Sequence, residues 1–210
     1  MASLKPVSPL ASLSTMARVP LQGRAICIEE VRDYGLIRLQ VFSRGSVPGR
    51  GSESTESLSI LLGEALPDAC QLLPFAKGYA FWTAPGEWII AVPAGSEIPQ
   101  SAQCDECLTD VLHAVTIMTD SRLVLRISGA EARQLLAKCS AVDFHPSVFG
   151  PGRCVITKFA RLPVMITQPT KAEDFMIFVD RSQASYLWEW LEDAAGEFEA
   201  TTVNRRMLNQ

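Results

Sequence analysis

The hydrophobic period of this chain switches between two and 3.6 residues, and does so twice in the same order. Ile37, Leu39 and Val41 alternate with Arg38 and Gln40, which predicts a half-buried strand. Leu58, Leu61, Leu62 and Ala65 then fall at helical spacing, and Pro67 stops the helix. Strands follow at about 78–84 and 87–92. Pro85-Gly86 joins them with the chemistry of a type II turn, Pro fixing φ and Gly taking φ > 0. A second helix at about 102–113 carries Cys104, Cys107, Leu108, Val111 and Leu112 on one stripe. The series then begins again. Val115 and Ile117 start a short strand, and Leu123, Leu125 and Ile127 form the next. Ser128 and Glu131 have the spacing of a capping box before a helix striped by Ala132, Leu135, Leu136 and Cys139. Strands near 154–160, 163–168 and 174–180 lead to a last helix at about 183–196, with Ser182 as its N-cap.

Strand–helix–strand–strand–helix therefore occurs at about 35–113 and again at 121–198, with an extra strand in the second copy. The predicted class is α+β: duplicated β-α-β-β-α units with mostly antiparallel sheets and helices to one side. Identity between the copies is weak, so the duplication rests on element order. Residues 1–22 are expected to form an extended tail. Residues 23–200 should form a single duplicated domain, with halves at about 35–113 and 114–198, and 201–210 a second tail. The Gly-, Pro- and Ser-rich stretch 43–54 reads as a loop.

At 210 residues and 48% hydrophobic, the chain can bury a substantial core. A net charge of −4 argues against a nucleic-acid partner. No apolar run reaches the roughly 20 residues of a membrane span. Lys5, Arg18 and Arg24, with no acid among the first 28 residues, superficially suggest a mitochondrial transit peptide. Pro6, Pro9 and Pro20 would break its helix, so a basic tail is the simpler expectation. The six scattered cysteines of so large a chain are expected to be reduced, in a cytoplasmic protein.

Candidate reactive groups do not assemble into a signature. Cys104, Cys107 and His113 could supply three zinc ligands, but both cysteines lie on an apolar stripe, where Cys behaves as a small hydrophobe. Asp143, His145 and Ser147 alternate in one loop, whereas a triad is assembled from separate elements. Pro146, Gly150, Pro151 and Gly152 make that loop a rigid connector. No Gly-x-Gly-x-x-Gly, Walker loop or Gly-x-Ser-x-Gly elbow is present, so no catalytic, cofactor-binding or metal residue is assigned. The aromatics are the more informative residues. Trp82 and Trp88 flank the Pro85-Gly86 turn and should meet across the hairpin. Leu187, Trp190, Leu191, Ala194 and Phe198 should share the inner face of the last helix, with Trp188 at its flank. Trp82, Trp88, Val148, Phe149 and Trp188 are the candidate partner-interface residues, expected to be exposed in the free chain.

Several blocks resemble one family in their order along the chain. These are Ser8-Pro9-Leu10, the Trp82–Ile90 hairpin, His113-Ala114-Val115, Asp120-Ser121-Arg122 and Leu125–Gly129. Ala137-Lys138-Cys139, Asp143, His145-Pro146, Val179, Arg181-Ser182, Tyr186-Leu187-Trp188 and Trp190-Leu191 continue the match. Together they resemble the gamma subunit of heterotetrameric sarcosine oxidase. Cys104, Cys107 and Val155-Ile156-Thr157 depart from the family pattern. The resemblance implies the duplicated folate-binding fold of the glycine-cleavage aminomethyltransferase. It implies a non-catalytic subunit packed on a large alpha subunit, with beta and delta subunits in the same bacterial assembly. That assembly oxidises sarcosine to glycine, with tetrahydrofolate as one-carbon acceptor and release of hydrogen peroxide. FAD, FMN, NAD and zinc would lie in the partner subunits and none in this chain. Two alternatives remain: the corresponding subunit of an N-methylglutamate dehydrogenase-type complex, and a stand-alone folate-binding or one-carbon-transfer protein. The last would need an acid to hold the pterin; Glu87, Asp120 and Asp143 are the acids nearest to loops in the matching blocks, and none is marked out as a pocket residue.

Overall fold

The computed structural model describes residues 8–11, 21–22, 25–42 and 53–207, with backbone alone at 21–22, 53–55 and 199–207. The loop read at 43–54 and most of the N-terminal tail therefore lie outside the described residues. The strands are β1 (Leu21–Gln22), β2 (Cys27–Glu30), β3 (Tyr34–Phe42), β4 (Leu72–Phe75), β5 (Gly78–Ala84), β6 (Glu87–Pro93), β7 (Leu112–Ile117), β8 (Arg122–Ser128), β9 (Arg153–Phe159), β10 (Leu162–Gln168) and β11 (Asp174–Asp180). The helices are α1 (Glu53–Leu62), α2 (Glu97–Glu106), α3 (Ala132–Cys139) and α4 (Ala184–Met207). The class is α+β, with two sheets and duplicated element order.

The chain divides into two compact units. One comprises 32–119 and 152–155, the other 1–31, 120–151 and 156–210. The first holds a five-stranded sheet in the order β4-β5-β6-β3-β7. Its core gathers Ile37, Leu39, Leu58, Trp88, Ile90 and Cys104, each at most 3% exposed. The second holds a six-stranded sheet in the order β1-β2-β8-β11-β10-β9. Leu125, Ile127, Leu135, Phe175, Ile177 and Leu187 are fully buried there.

The two sheet orders correspond, β4-β5-β6-β3-β7 to β9-β10-β11-β8-β2. Each copy has three strands after its first helix, so the extra strand expected only in the second copy is present in both. β4 escaped the sequence reading because it is four residues long and contains Pro74, which demotes a run to edge strand or loop. The fifth strand of each sheet comes from outside its own repeat. β2, which precedes the first copy, pairs with β8 of the second, Cys27 opposite Ser128. β7, read as the start of the second half, pairs instead with β3 of the first, Leu39 opposite Val115.

Local differences have local causes. α1 ends before Gly63 (φ 75°), a left-handed C-cap that acts before Pro67 is reached. α2 runs earlier than expected, and Leu112, placed on its buried stripe, is 73% exposed on β7. Ser128 remains in β8, opposite Asp174, so the capping box does not form and Glu131 starts α3 without a side-chain cap. The turn before α4 is capped by Asp180, which accepts from Ser182 N (3.0 Å) and Ser182 Oγ (2.7 Å), so Ser182 is a donor there and not the cap. α4 itself continues to Met207. Within the segment read as a tail, Leu10 is buried, and Ser8 Oγ donates to Glu30 on β2 at 2.6 Å.

β9 and β10 are joined by two residues, Ala160 (φ 49°) and Arg161 (φ 72°), both left-handed and neither glycine. Such a turn matches the twist of a hairpin but strains residues with a Cβ. Arg161 is exposed, so Arg161→Gly should raise stability by about 1 kcal/mol. An unchanged or lower midpoint in urea unfolding would contradict this account.

Candidate partner interface

The β5–β6 hairpin sets Trp82 opposite Trp88, the cross-strand pair that alternation predicted. The turn is buried at Gly86, whose carbonyl accepts from Val41 N at 2.8 Å, and exposed at Pro85. Trp88 faces inward, 3% exposed, and its indole N–H donates to Pro67 O at 3.1 Å. The expected exposure of Trp88 is thus corrected: its hydrogen bond closes the segment after α1 over the core. Trp82 is half-buried against the same core.

Glu87, at the start of β6, gathers the polar groups of this hairpin. Its Oε2 accepts from Arg38 Nη2 (2.6 Å) and Gln40 Nε2 (2.8 Å), its Oε1 from Thr83 Oγ1 (3.0 Å). Burial pushes its carboxyl up, but the Arg38, Thr83 and Gln40 donors outweigh burial and hold it below the usual carboxylate range.

The loop 143–152 is held by one side chain. Arg133, on α3, donates through Nη1 to the carbonyls of Phe144 (2.5 Å) and Phe149 (2.7 Å), and through Nη2 to Gln168 Oε1 (3.0 Å). It also pairs with Glu173 and lies 4.9 Å over the Phe175 ring. Phe144 and Phe149 pack edge to face at 5.2 Å and are buried, so the expected exposure of Phe149 is corrected: Arg133 fastens both phenylalanines inward. Val148 is the apolar residue this loop presents, 53% exposed. Asp143 Oδ1 accepts from the backbone N–H of His145 (2.8 Å), while Ser147 Oγ lies 2.7 Å from His145 Nδ1. The three alternating residues thus form a local turn, with the carboxylate on backbone and not on the ring. Asp120 lies in a 3₁₀ turn before β8.

Among the described side chains of α4 the buried ones are Ala184, Leu187, Trp188, Leu191, Ala194 and Ala195. The inner face is centred nearer Leu191 than expected, about 60° from Trp188 and 100° from Trp190. Trp188, 2% exposed, is core, and its indole N–H has no hydrogen-bond partner among the described residues. Trp190 is the tryptophan that faces out, 39% exposed, with its ring 5.8 Å from that of Tyr186 one turn earlier. Sequence periodicity reversed this pair, and nothing in the sequence marks Arg133 as the clamp of a distant loop.

Cys104 is fully buried and its thiol is pushed up to about 11, first by burial. His113 is engaged at both ring nitrogens, by Val111 O and Asp105 Oδ1, each at 2.8 Å. No group of three or more His, Cys, Asp or Glu side chains among the described residues is placed to hold a metal ion.

A duplicated α+β scaffold with its aromatics divided between core and surface is the class these observations define. The model of the sarcosine oxidase gamma subunit family matches residues 54–197, and the chain belongs to that family. It is 28% identical over 200 residues to the sarcosine oxidase subunit gamma of Corynebacterium sp. (strain U-96), covering 94% of this chain and 92% of that one. A chain of the heterotetrameric sarcosine oxidase from Corynebacterium sp. U-96, in complex with pyrrole 2-carboxylate, superposes with a TM-score of 0.79 at 25% identity. That match covers 92% of this chain and 96% of the other. The glycine cleavage system aminomethyltransferase T of Bartonella henselae shares the fold, with a TM-score of 0.58 at 16% identity over 78% of this chain and 44% of that one.

Two outcomes follow from these placements. Trp188→Ala should cost about 3–5 kcal/mol of unfolding free energy, the range for emptying a buried aromatic site. Trp188→Phe should cost less, because it leaves a smaller cavity, while both variants remove the unpaired buried donor. Equal losses in urea titrations would argue against the burial account. Glu87→Gln should cost about 1–2 kcal/mol at pH 7. A lowered folded pKa means that the stabilisation is present above the ordinary carboxylate range and is lost as pH falls through the folded value. The difference between Glu87→Gln and the parent should therefore shrink in acid. A constant difference from pH 7 to 3 would refute it.

Proposed function

We propose that this chain serves as the gamma subunit of a heterotetrameric sarcosine oxidase-type complex. In this reading it is a non-catalytic, cytoplasmic subunit packed on the large alpha subunit, with beta and delta subunits in the same assembly. The assembly converts sarcosine to glycine, passes the one-carbon unit to tetrahydrofolate and releases hydrogen peroxide. FAD, FMN, NAD and zinc belong to the partner subunits.

The observation that carries the reading is the family match over 54–197, extended by a superposition that spans nearly the whole of a chain from a heterotetrameric sarcosine oxidase. The matched names favour that complex over an N-methylglutamate dehydrogenase-type assembly. Aminomethyltransferase likeness at 16% identity concerns the fold alone and brings no folate site with it. Glu87, one of the three acids considered for a stand-alone pterin site, already has three donors on it. Among the described residues no helix is long and apolar enough to cross a membrane. For docking, Val148 and the half-buried Trp82 remain the candidates of the original set, since Trp88, Phe149 and Trp188 are interior.

Co-expression with the alpha, beta and delta subunits tests the proposal. The chain should co-purify with them stoichiometrically, while the chain alone shows neither flavin absorbance nor sarcosine turnover. Val148→Asp should weaken assembly at least tenfold, about 1.4 kcal/mol, and leave the unfolding midpoint of the free chain unchanged. Turnover by the chain alone would refute the non-catalytic role. Full assembly of Val148→Asp would remove this loop from the interface.

A further inference from the structure

Cys70 and Cys154 oppose each other beside an isolated antiparallel bridge in the unit formed by 32–119 and 152–155. Gln71 and Arg153 make an antiparallel bridge. To one side Leu72 N donates to Gly152 O at 2.9 Å, and to the other Cys154 N donates to Cys70 O at 3.1 Å. This pattern sets Cys70 opposite Cys154 at the end of the bridge, joined by that one hydrogen bond, at the ladder position where opposed Cα atoms of antiparallel strands lie about 5.5 Å apart. The commonest Cα separation in disulfides is about 5.5–6 Å.

The two thiols differ in surroundings. Cys70 is exposed, in the turn closed by Gln71 N on Asp68 O, where it holds a left-handed φ of 60°. Cys154 is 1% exposed, and its Sγ lies 3.0 Å from Gln71 O and 3.3 Å from Trp82 O. Burial first, and then the neighbouring Cys70 charge, push the Cys154 thiol up to about 12. A solvent-borne oxidant therefore meets Cys70 first, with Cys154 held behind it.

We propose that Cys70 and Cys154 form a peroxide-responsive dithiol site, in which Cys70 reacts and Cys154 resolves. The Cys70 thiolate attacks one oxygen of hydrogen peroxide. The O–O bond breaks, the leaving hydroxide takes a proton to become water, and Cys70 becomes a sulfenic acid. Cys154 sulfur then attacks Cys70 Sγ. The S–S bond forms, the S–OH bond breaks, and the hydroxyl leaves as water with the Cys154 proton. Two thiols lose two hydrogens and two electrons, and one peroxide becomes two waters. The product ties the 68–71 turn covalently to 152–155 and removes the S–H that serves Gln71 O and Trp82 O. Cys104 and Cys107 offer no equal site, because neither is exposed as Cys70 is: Cys104 is buried and Cys107 half-buried.

Titration of the full chain with hydrogen peroxide, in the presence and absence of dimedone, tests this. Two of the six thiols should disappear, the mass should fall by about 2 Da, and one cross-linked peptide should join Cys70 to Cys154, reversed by dithiothreitol. In Cys154→Ala the dimedone adduct of Cys70 should accumulate. Cys70→Ser, at an exposed position, tests the pair independently of any packing loss, and its Cys154 thiol should survive peroxide. Over-oxidation of Cys70 beside an intact Cys154 thiol, a bond mapped to another pair, or survival of all six thiols would overturn the proposal.

Discussion

β3 and β8 must each be paired on both edges, and the rest of the architecture answers to that requirement. Leu36, Ile37, Leu39 and Val41 on β3, and Leu123, Val124, Leu125 and Ile127 on β8, are at most 6% exposed. A backbone buried to that extent needs partners for its N–H and C=O groups on each side. β6 and β11 supply one side from within the repeats. The other side is filled by strands from outside them, β7 for β3 and β2 for β8. An early segment is thereby committed to the sheet of the later half. Ser8 and Leu10 belong to the same arrangement, one bonded to Glu30 of β2 and the other buried.

This exchange explains which parts of the fold were legible in the sequence. Alternation at Ile37–Val41 and Leu123–Ile127, and the helical stripes of Leu58–Leu62 and Ala132–Leu136, specify local elements, because each rests on the burial of one face. Pro85-Gly86 specifies its hairpin through φ alone. Pairing partners are not local. Nothing in Cys27–Glu30 distinguishes a neighbour at β3 from one at β8, so the repeat boundary placed at 113/114 divided the strands by sequence order. Capping failed for a related reason. Ser128 has the right spacing from Glu131, but its place opposite Cys27 and Asp174 keeps it in the strand.

The candidate site was legible in its loops and not in its side-chain directions. Trp82 opposite Trp88 follows from the turn. Which of Trp188 and Trp190 faces inward depends on where the small residues Ala184, Ala194 and Ala195 centre the buried arc, a matter of packing volume that hydrophobicity does not record. The potentially reactive groups are likewise governed by local partners. A Glu87 carboxylate with three donors is held ionised, which suits a structural anchor and disfavours proton transfer near neutral pH. Asp143 serves a backbone N–H, and His113 is bonded at both nitrogens.

What Arg133 does to the 143–152 loop links these points to association. Its Nη1 takes two carbonyls of the loop, Phe144 O and Phe149 O, and its guanidinium carbon lies 4.9 Å over the Phe175 ring. Once both phenylalanines are fastened inward, the residues between them have no inward position left, and His145 to Val148 must project. Val148 N and Phe149 N both bond to His145 O, which fixes the projecting turn itself. A surface fixed before a partner arrives loses little conformational entropy when it docks, so more of its contact energy survives as affinity. Under the proposed docking of this loop, the partly buried guanidinium would act without touching a partner, through the order it imposes on the residues that project.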